Sequence, residues 1–280
     1  MFGVVVVLGL CSAAGLGQAS IRAVVVSGQP APGFVTNRAI SSVVAPVVGD
    51  AGEIWFVANL SVTGPGLGPT TVLYRASPRG GPEPVFTNGL VPGFTTRTWA
   101  GWTNLVAGGT GELAFSAGML VNGTTSSAGV FRYDNGTLEV VTTTEFPAPG
   151  VPGPFTSFES IACALALRLA MKGRTGATGN DSGIWAGLGP LQLTLFEGDP
   201  AALEPAGVLW GDTGATGKPA ISNGAAPVVN LLGDIATKMT LTGTGVTASN
   251  NEGIWWGSPQ ILLKVAREGE PVLWRQDDGV

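Results

Sequence analysis

Residues 111–150 read GELAFSAGMLVNGTTSSAGVFRYDNGTLEVVTTTEFPAPG, a series of short β-rich runs separated by turn residues. The dipeptides Asn122-Gly123 and Asn135-Gly136 are typical of two-residue hairpin turns, because both residue types tolerate positive φ angles. Asn88-Gly89 and Asn223-Gly224 predict similar turns elsewhere in the chain. The prolines of this stretch fall in its last residues, Phe146–Gly150, where a missing backbone donor costs little. The stretch therefore predicts antiparallel strands joined by tight turns and followed by a link.

The phrases of this stretch recur along the chain, which is the sequence signature of a repeat architecture. A linking phrase recurs as Val24–Gly33, Pro84–Gly93, Val140–Gly150, Leu195–Ala201 and Val265–Pro271. A Gly-acid phrase recurs as Gly52–Ala58, Gly111–Ala117 and Gly233–Met239, and the third unit offers Ala164–Ala170 in its place. A closing phrase recurs as Val72–Tyr74, Gly129–Phe131, Gly183–Trp185 and Gly253–Trp255. The repeat units thus begin near residues 22, 83, 138 and 191, with a partial fifth unit from residue 262.

These units predict an all-β fold, a β-propeller-like array of about four to five repeats of roughly 50–70 residues, each repeat being one blade. Ile161–Lys172 has a helix-like composition, but its large apolar residues occupy every odd position, which is the strand period. Four aromatic residues would then be the apolar plugs between blades: Phe56, Phe115, Trp185 and Trp255. Leu262–Arg267 would close the array beside Arg22–Ser27. A β-solenoid or an incomplete propeller is the alternative fold.

Residues 1–19 read MFGVVVVLGLCSAAGLGQA, an apolar run followed by small residues. This pattern predicts a signal peptide, and hence a secreted or cell-surface protein whose single repeat domain spans residues 20–280. A buried first strand over Val4–Leu8 is the alternative. Cleavage would leave only Cys163, which excludes an intrachain disulfide. We expect no transmembrane span in the mature chain.

The composition excludes several classes of function. The chain of 280 residues has no histidine, which excludes Ser-His-Asp and Cys-His nucleophiles and histidine-ligated zinc. Its 14 Lys and Arg are outnumbered by 19 Asp and Glu, so we expect no nucleic-acid partner. Two runs offer oxygens for a candidate calcium loop, Asn180-Asp181-Ser182 and Asn250-Asn251-Glu252, but both lack the residue spacing of such a loop and are better explained as hairpin turns. The glycine pattern of a phosphate loop is also missing from the sequence. We therefore expect no metal and no cofactor.

Two kinds of residue could still form a site. Paired carboxylates could be the acid and base of a glycosidase, and the candidate pairs are Asp50 with Glu53, Glu197 with Asp199, and Glu268 with Glu270. Each pair lies beside a turn glycine, where acidic residues are common for turn geometry alone. Exposed tryptophan rings could stack on sugars, and the candidates are Trp99, Trp102 and Trp210, which fit the repeat least well. Burial between strands is the favoured interpretation of these rings.

The repeated phrases resemble a family of uncharacterised secreted bacterial repeat proteins. Their unit reads roughly Gly-Asp-Pro-Ala-Pro-Gly, then Gly-x-x-Ala-Phe-x-Ala, then Asn-x-x-Gly-Ile-Trp. The resemblance is clearest at Gly28–Gly33, Gly52–Ala58, Gly111–Ala117, Asn180–Trp185 and Asn250–Trp255. Members often end in a surface-sorting tail of the choice-of-anchor type. The resemblance implies location and architecture, and it implies no chemistry.

These observations favour a secreted or cell-envelope protein that is a non-catalytic binding or structural module. Its partner is unknown, and a glycan or another surface protein is the expected class. The alternative function is a carboxylate-dependent glycosidase or lyase on a propeller scaffold. A third hypothesis is a purely structural part of a surface layer.

Overall fold

The computed structural model describes residues 23–34, 37–62, 70–164, 166, 168–176, 181–211 and 226–271. These residues form seventeen β-strands, and no α-helix occurs in the ranges just given. It follows that this part of the chain offers no helix able to cross a membrane. The predicted signal peptide, residues 1–19, lies outside the described residues and stays a prediction.

The strands form four antiparallel sheets. Sheet 1 contains β1 (Arg38–Val48), β2 (Ile54–Val62), β3 (Thr70–Ala76) and β4 (Pro82–Thr87). Sheet 2 contains β5 (Arg97–Ala107), β6 (Glu112–Val121), β7 (Thr125–Asp134) and β8 (Thr137–Thr143). Sheet 3 contains β9 (Phe155–Ala164), β10 (Arg168–Thr175), β11 (Ser182–Gly187) and β12 (Gln192–Phe196). Sheet 4 contains β13 (Val208–Trp210), β14 (Val228–Val229), β15 (Ile235–Gly243), β16 (Glu252–Ser258) and β17 (Ile261–Arg267).

Sheets 1 to 3 are meanders in which consecutive strands are neighbours, and sheet 4 follows the same order with the short β14 added beside β15. Four-stranded antiparallel meanders are the blades of β-propellers, so the predicted all-β, propeller-like fold is confirmed. The chain divides into two compact units. The first, Met1–Phe146 with Cys163–Leu167, holds sheets 1 and 2, and the second, Pro147–Ala162 with Arg168–Val280, holds sheet 4 and sheet 3 except the end of β9.

Two of the predicted hairpin turns are confirmed by their backbone angles. Asn122 and Gly123 join β6 to β7 with φ of 51° and 76°, and Asn135 and Gly136 join β7 to β8 with φ of 42° and 104°. Asn88-Gly89 is not a hairpin turn, because it follows β4 and leads to β5 of another sheet. Asn223-Gly224 lies outside the described residues.

The Ile161–Lys172 run is strand, as its alternation predicts, but it forms parts of two strands. β9 ends at Ala164, β10 begins at Arg168, and Ala166 between them has a φ of 59°. The chain reverses here, and a positive φ permits such a tight reversal. The phrase proposed for the third unit, Ala164–Ala170, is therefore in the wrong register.

Strand pairing gives the correct register. In each sheet the last residue of the closing phrase pairs with one residue of the preceding strand: Tyr74 with Phe56, Phe131 with Phe115, Trp185 with Met171, and Trp255 with Thr237. These four pairs are equivalent positions of the repeat. Three residues before each strand partner stand Glu53, Glu112, Arg168 and Asp234. The third unit thus has a basic residue where the other three have an acid.

Three of the four closing-phrase rings form a hydrogen bond that joins their sheet to the link preceding it. The Tyr74 hydroxyl donates a hydrogen bond to the Pro32 carbonyl at 3.0 Å. The Trp185 indole N–H donates to the Pro149 carbonyl at 2.9 Å, and that of Trp255 to the Ala202 carbonyl at 3.1 Å. The four predicted plugs, Phe56, Phe115, Trp185 and Trp255, are all fully buried. Leu262–Arg267 pairs with β16, and its predicted contact with Arg22–Ser27 stays a prediction.

Candidate functional site

Buried acids among the candidate carboxylate pairs serve as acceptors for the backbone. Glu53 is buried, and its Oε1 accepts a hydrogen bond from the Gly111 N–H at 2.9 Å. Glu197 is also buried, and its Oε2 accepts from the backbone N–H and the hydroxyl of Ser182 at 3.3 and 2.9 Å. These bonds use carboxylates to satisfy buried backbone donors. Such a role is structural.

The remaining acids of the three pairs are exposed, and their contacts do not bring them together in a site. Glu270 forms an ion pair with Lys264 at 2.7 Å. Partial burial raises the pKa of Asp199 above its usual range. Asp50 and Glu268 are exposed. The structure therefore brings none of the three pairs into a common cleft among the described residues.

The three candidate tryptophans lie in the core. Trp99, Trp102 and Trp210 are only 2%, 5% and 3% exposed. Trp99 packs edge-on against Phe131 with ring centroids 4.9 Å apart, and Trp210 packs edge-on against Trp255 at 4.7 Å. This is the burial that the sequence favoured. A role in sugar stacking stays a prediction, and it would need these rings to be uncovered.

A cleft of about 370 Å³ lies at one end of sheets 3 and 4, within the second unit. The start of β10 and the turns β11–β12, β14–β15 and β16–β17 form its walls. Leu188, Pro190, Leu232 and Pro259 give it apolar surface, and Gln192 and Gln260 join across it by a side-chain hydrogen bond. Its charged lining residues are Arg168 and Asp234. This size is typical of small-ligand clefts.

Arg168 inverts a contact that links sheet 1 to sheet 2. In sheet 1 the equivalent residue, Glu53, accepts a hydrogen bond from the Gly111 N–H in the turn before β6. In sheet 3, Arg168 donates to the Leu232 carbonyl at 3.1 Å in the turn before β15. The substitution thus keeps the link and replaces a buried anion with a guanidinium that faces a cleft. Arg168 has no ion pair among the described residues, so its other N–H groups can meet an anionic ligand.

The turn that receives Arg168 also departs from the repeat. The turns at 49–53, 108–112 and 230–234 share one backbone geometry, in which the first N–H donates to the fifth carbonyl at 2.8, 3.1 and 2.9 Å. Their middle residues are Asp-Ala, Gly-Thr and Leu-Leu in that order. Leu231 and Leu232 are 58% and 77% exposed, so this turn presents two adjacent large apolar side chains to solvent.

Asn230 fixes the turn that presents these leucines. Its Oδ1 accepts hydrogen bonds from the backbone N–H groups of Leu232 and Asp234, both at 2.9 Å. Its Nδ2 donates to Asp234 Oδ2 at 3.1 Å, which holds that carboxylate at the edge of the cleft. The apolar rim is therefore preorganised, and binding to it would cost little conformational entropy.

A second cluster of charges lies farther along β10, and the sequence analysis missed it. Glu159 accepts from Arg174 Nε at 2.5 Å and lies 3.3 Å from Lys172 Nζ, while Arg174 also contacts Asp181. Burial lowers the pKa of Lys172, and the neighbouring Glu159 opposes that shift. Arg168, Lys172 and Arg174 occupy even positions of one strand, and this spacing was the available signal.

The described residues offer no group of three or more Asp, Glu or Cys that could hold a metal. Asn250 Oδ1, part of one candidate calcium loop, accepts the Thr247 N–H at 2.7 Å and so is used by its own turn. Asn180 of the other loop lies outside the described residues. Burial, helped by the charge of Glu112, raises the pKa of the Cys163 thiol to about 12.

Comparisons with known proteins give a family and a distant structural likeness. Residues 8–207 and 165–276 match the family described as "Family of unknown function (DUF7453)". No curated protein matches the chain. One solved structure, "Hadza microbial sialidase Hz136", is similar at 14% identity with a TM-score of 0.36. The alignment covers 82% of this chain and 53% of that one, so the chain spans about half the length of the sialidase structure.

Proposed function

The chain belongs to DUF7453, a family of unknown function, and we propose that it is a secreted or cell-surface binding module whose ligand occupies the cleft beside Arg168. The observation that carries this proposal is that two departures from the repeat meet in one place. Sheet 3 has Arg168 where the other sheets have an acid, and the facing turn of sheet 4 has Leu231-Leu232 where the equivalent turns are polar or small. We also propose that the protein belongs to the choice-of-anchor type of surface proteins.

The chemistry of the cleft favours a ligand with an apolar group beside a carboxylate. Arg168 offers guanidinium donors that pair well with a carboxylate. Leu188 and Leu232 line the same cleft and offer exposed apolar surface. A peptide that ends in a large apolar residue and a free carboxylate has both features, and backbone and cationic groups capture such termini in other proteins. The proposed partner is therefore another surface protein.

Fluorescence polarisation with a labelled short peptide tests this ligand class. We expect a peptide ending in free Leu or Phe to bind, and the same peptide with an amidated C-terminus to bind at least about tenfold more weakly. Arg168→Gln should remove that difference, and Leu232→Ser should weaken both peptides. Arg79→Gln is the matched control, because it removes one exposed arginine outside the cleft.

Equal binding of the free and amidated peptides would contradict the role of Arg168. Binding of an acidic oligosaccharide in place of the peptide would keep the site and overturn the ligand class. Unchanged binding by Arg168→Gln and Leu232→Ser would place the ligand elsewhere.

The alternative, a carboxylate-dependent glycosidase or lyase, has weaker support. Such an enzyme needs two carboxyl groups on either side of a substrate bond, and Asp234 is the acid among the lining residues of the cleft. Chromatography of labelled polysaccharides after incubation tests this alternative. Shortened products that disappear with Asp234→Asn would favour the enzyme.

A further inference from the structure

Three Asn-Gly dipeptides in the described part of the chain offer the same chemistry in different settings. They are Asn88-Gly89, Asn122-Gly123 and Asn135-Gly136. An asparagine followed by glycine can lose its side-chain amide without an enzyme, because glycine has no side chain that shields its backbone nitrogen. Whether a given dipeptide reacts then depends on two groups, the asparagine side chain and the glycine N–H. The three dipeptides differ in how these two groups are bonded.

The side chain of Asn135 is held in place. Its Nδ2 donates hydrogen bonds to the Thr110 carbonyl at 3.2 Å and to Asp134 Oδ1 at 2.9 Å. Its Oδ1 packs against Gly111, where an added Cβ would collide with it. The side chain must give up these contacts before it can rotate onto the Gly136 nitrogen. We therefore expect Asn135 to react slowly, although it is exposed.

Asn88 is held in a different way. Its Oδ1 accepts a hydrogen bond from the backbone N–H of Thr71. The nitrogen that would attack is also occupied, because the Gly89 N–H donates to the Thr87 carbonyl at 2.6 Å. Both groups that the reaction needs are thus engaged at this dipeptide.

Asn122 has neither restraint. Its exposed side chain makes no hydrogen bond among the described residues. In the same part of the chain the Gly123 N–H donates no hydrogen bond, and a Cβ at Gly123 would meet no atom within 4 Å. The turn is of the same two-residue kind as that of Asn135, since φ is 51° at Asn122 and 42° at Asn135. Side-chain bonding is therefore what separates these two matched turns.

We propose that Asn122 is a site of spontaneous deamidation and the most reactive of the three described Asn-Gly dipeptides. The Gly123 backbone nitrogen attacks Asn122 Cγ and forms a C–N bond. The bond from Cγ to the side-chain nitrogen breaks, and that nitrogen leaves as ammonia with the proton of the Gly123 N–H. One water then opens the resulting succinimide at either carbonyl, which leaves aspartate or isoaspartate. No oxidant, reductant or cofactor takes part.

The product alters the tip of the β6–β7 hairpin in two ways. Each converted chain gains one negative charge on an exposed turn. Isoaspartate also adds a methylene to the main chain, in a two-residue turn whose backbone twist matches the strands that it joins. The modification therefore changes both the charge and the shape of this tip. The proposal is independent of the ligand site at Arg168.

Peptide mapping of the full chain after incubation at mildly alkaline pH tests the proposal. Incubation in water labelled with heavy oxygen, followed by digestion in ordinary water, marks only the residues that react in the intact protein. We expect label at Asn122 to accumulate at least about fivefold faster than at Asn135, which has two side-chain hydrogen bonds to break. It should also accumulate faster than at Asn88. Fragmentation that distinguishes isoaspartate from aspartate should find both at position 122, because both come from the succinimide.

Two controls separate the effect of the fold from that of the sequence. In urea the three asparagines should react at similar rates, because each is followed by glycine. Asp134→Ala removes one of the two acceptors of Asn135 and should speed the reaction of Asn135 roughly two- to tenfold, with Asn122 unchanged. Asp134 is exposed, and circular dichroism establishes that this variant is folded.

Two results would overturn the proposal. One is an equal rate of labelling at Asn122 and Asn135 in the folded chain. The other is labelling of Asn122 that occurs only after unfolding in urea, which would show that the hairpin turn itself protects this residue.

Discussion

Replacing Tyr74 with phenylalanine tests whether the bond from closing-phrase ring to linking phrase stabilises the repeat. The Tyr74 hydroxyl donates a hydrogen bond of 3.0 Å to the Pro32 carbonyl, and the ring stacks on Phe56 with centroids 5.3 Å apart. Tyr74→Phe removes the hydroxyl and keeps the buried ring, so it isolates this one bond. A net hydrogen bond contributes about 0.5–1.5 kcal/mol. We therefore expect the free energy of unfolding near pH 8 to fall by about 1 kcal/mol.

The pH dependence of the same variant supplies a second readout. Burial raises the pKa of Tyr74 from 10.0 to about 12 in the folded chain. Below pH 10 the phenol is protonated in both states. As the pH rises from about 10 to 12 the unfolded chain ionises first, so the wild type loses stability over that window. Tyr74→Phe has no phenol to ionise, and the gap between the two proteins should shrink or reverse by about 1–2 kcal/mol near pH 12.

Urea unfolding followed by circular dichroism at a neutral and an alkaline pH measures both effects. The chain has two tyrosines, and Tyr133→Phe is the matched control, because the Tyr133 hydroxyl makes no hydrogen bond among the described residues. The control should cost little near neutral pH. A Tyr74→Phe variant as stable as the wild type near pH 8, or a Tyr133→Phe variant equally destabilised, would refute the account of the link.

Three further predictions concern positions that the structure singles out. Cys163, which is half-buried, should resist alkylation near pH 8 in the native chain and react after urea denaturation, because its pKa is raised to about 12. Rapid labelling of the native chain, detected by mass spectrometry, would contradict the raised pKa. Gly111→Ala should lower the free energy of unfolding by more than about 1 kcal/mol, since the residue has a φ of 77° and a Cβ would lie 2.0 Å from Asn135 Oδ1; Gly123→Ala, also at positive φ but with open space around it, separates strain from collision. Lys172→Met should change stability by less than about 1 kcal/mol, because Arg174 still neutralises Glu159; a large loss in chemical denaturation would show that Lys172 itself is required.

The fold could be predicted from the sequence because the repeat contains recognisable turn dipeptides and a clear strand period. Asn122-Gly123 and Asn135-Gly136 adopt the positive φ angles of hairpin turns, which is a local preference of these residue types. Asn88-Gly89 has the same chemistry but stands at the junction of two sheets, where the pairing of β5 with β6 decides the path of the chain. Local turn preference cannot distinguish these two contexts.

The candidate site was not accessible in the same way. The third unit has neither the acid of the Gly-acid phrase nor the glycine before it, so the sequence alone does not align this phrase. As a result, the predicted phrase Ala164–Ala170 lies three residues too early. Only the pairing of Met171 with Trp185 shows that Arg168 occupies the position of Glu53 and Glu112. A long-range register is needed to see that a basic residue has replaced an acid.

The two departures at the cleft support each other because they touch. Neutral divergence of a repeat would place substitutions at unrelated positions. An arginine that replaced the acid alone would leave the neighbouring turn of sheet 4 like its equivalents. Here the Arg168 guanidinium donates to the carbonyl of Leu232, which is itself one of the two exposed leucines that distinguish this turn from its equivalents. An acid at position 168 would place a carboxylate beside that carbonyl, an unfavourable contact between two acceptors. The reversed bond, the rigid Asn230 turn and the open apolar rim therefore form one local arrangement, and a ligand that needs both a cation and an apolar surface gives a reason for all three.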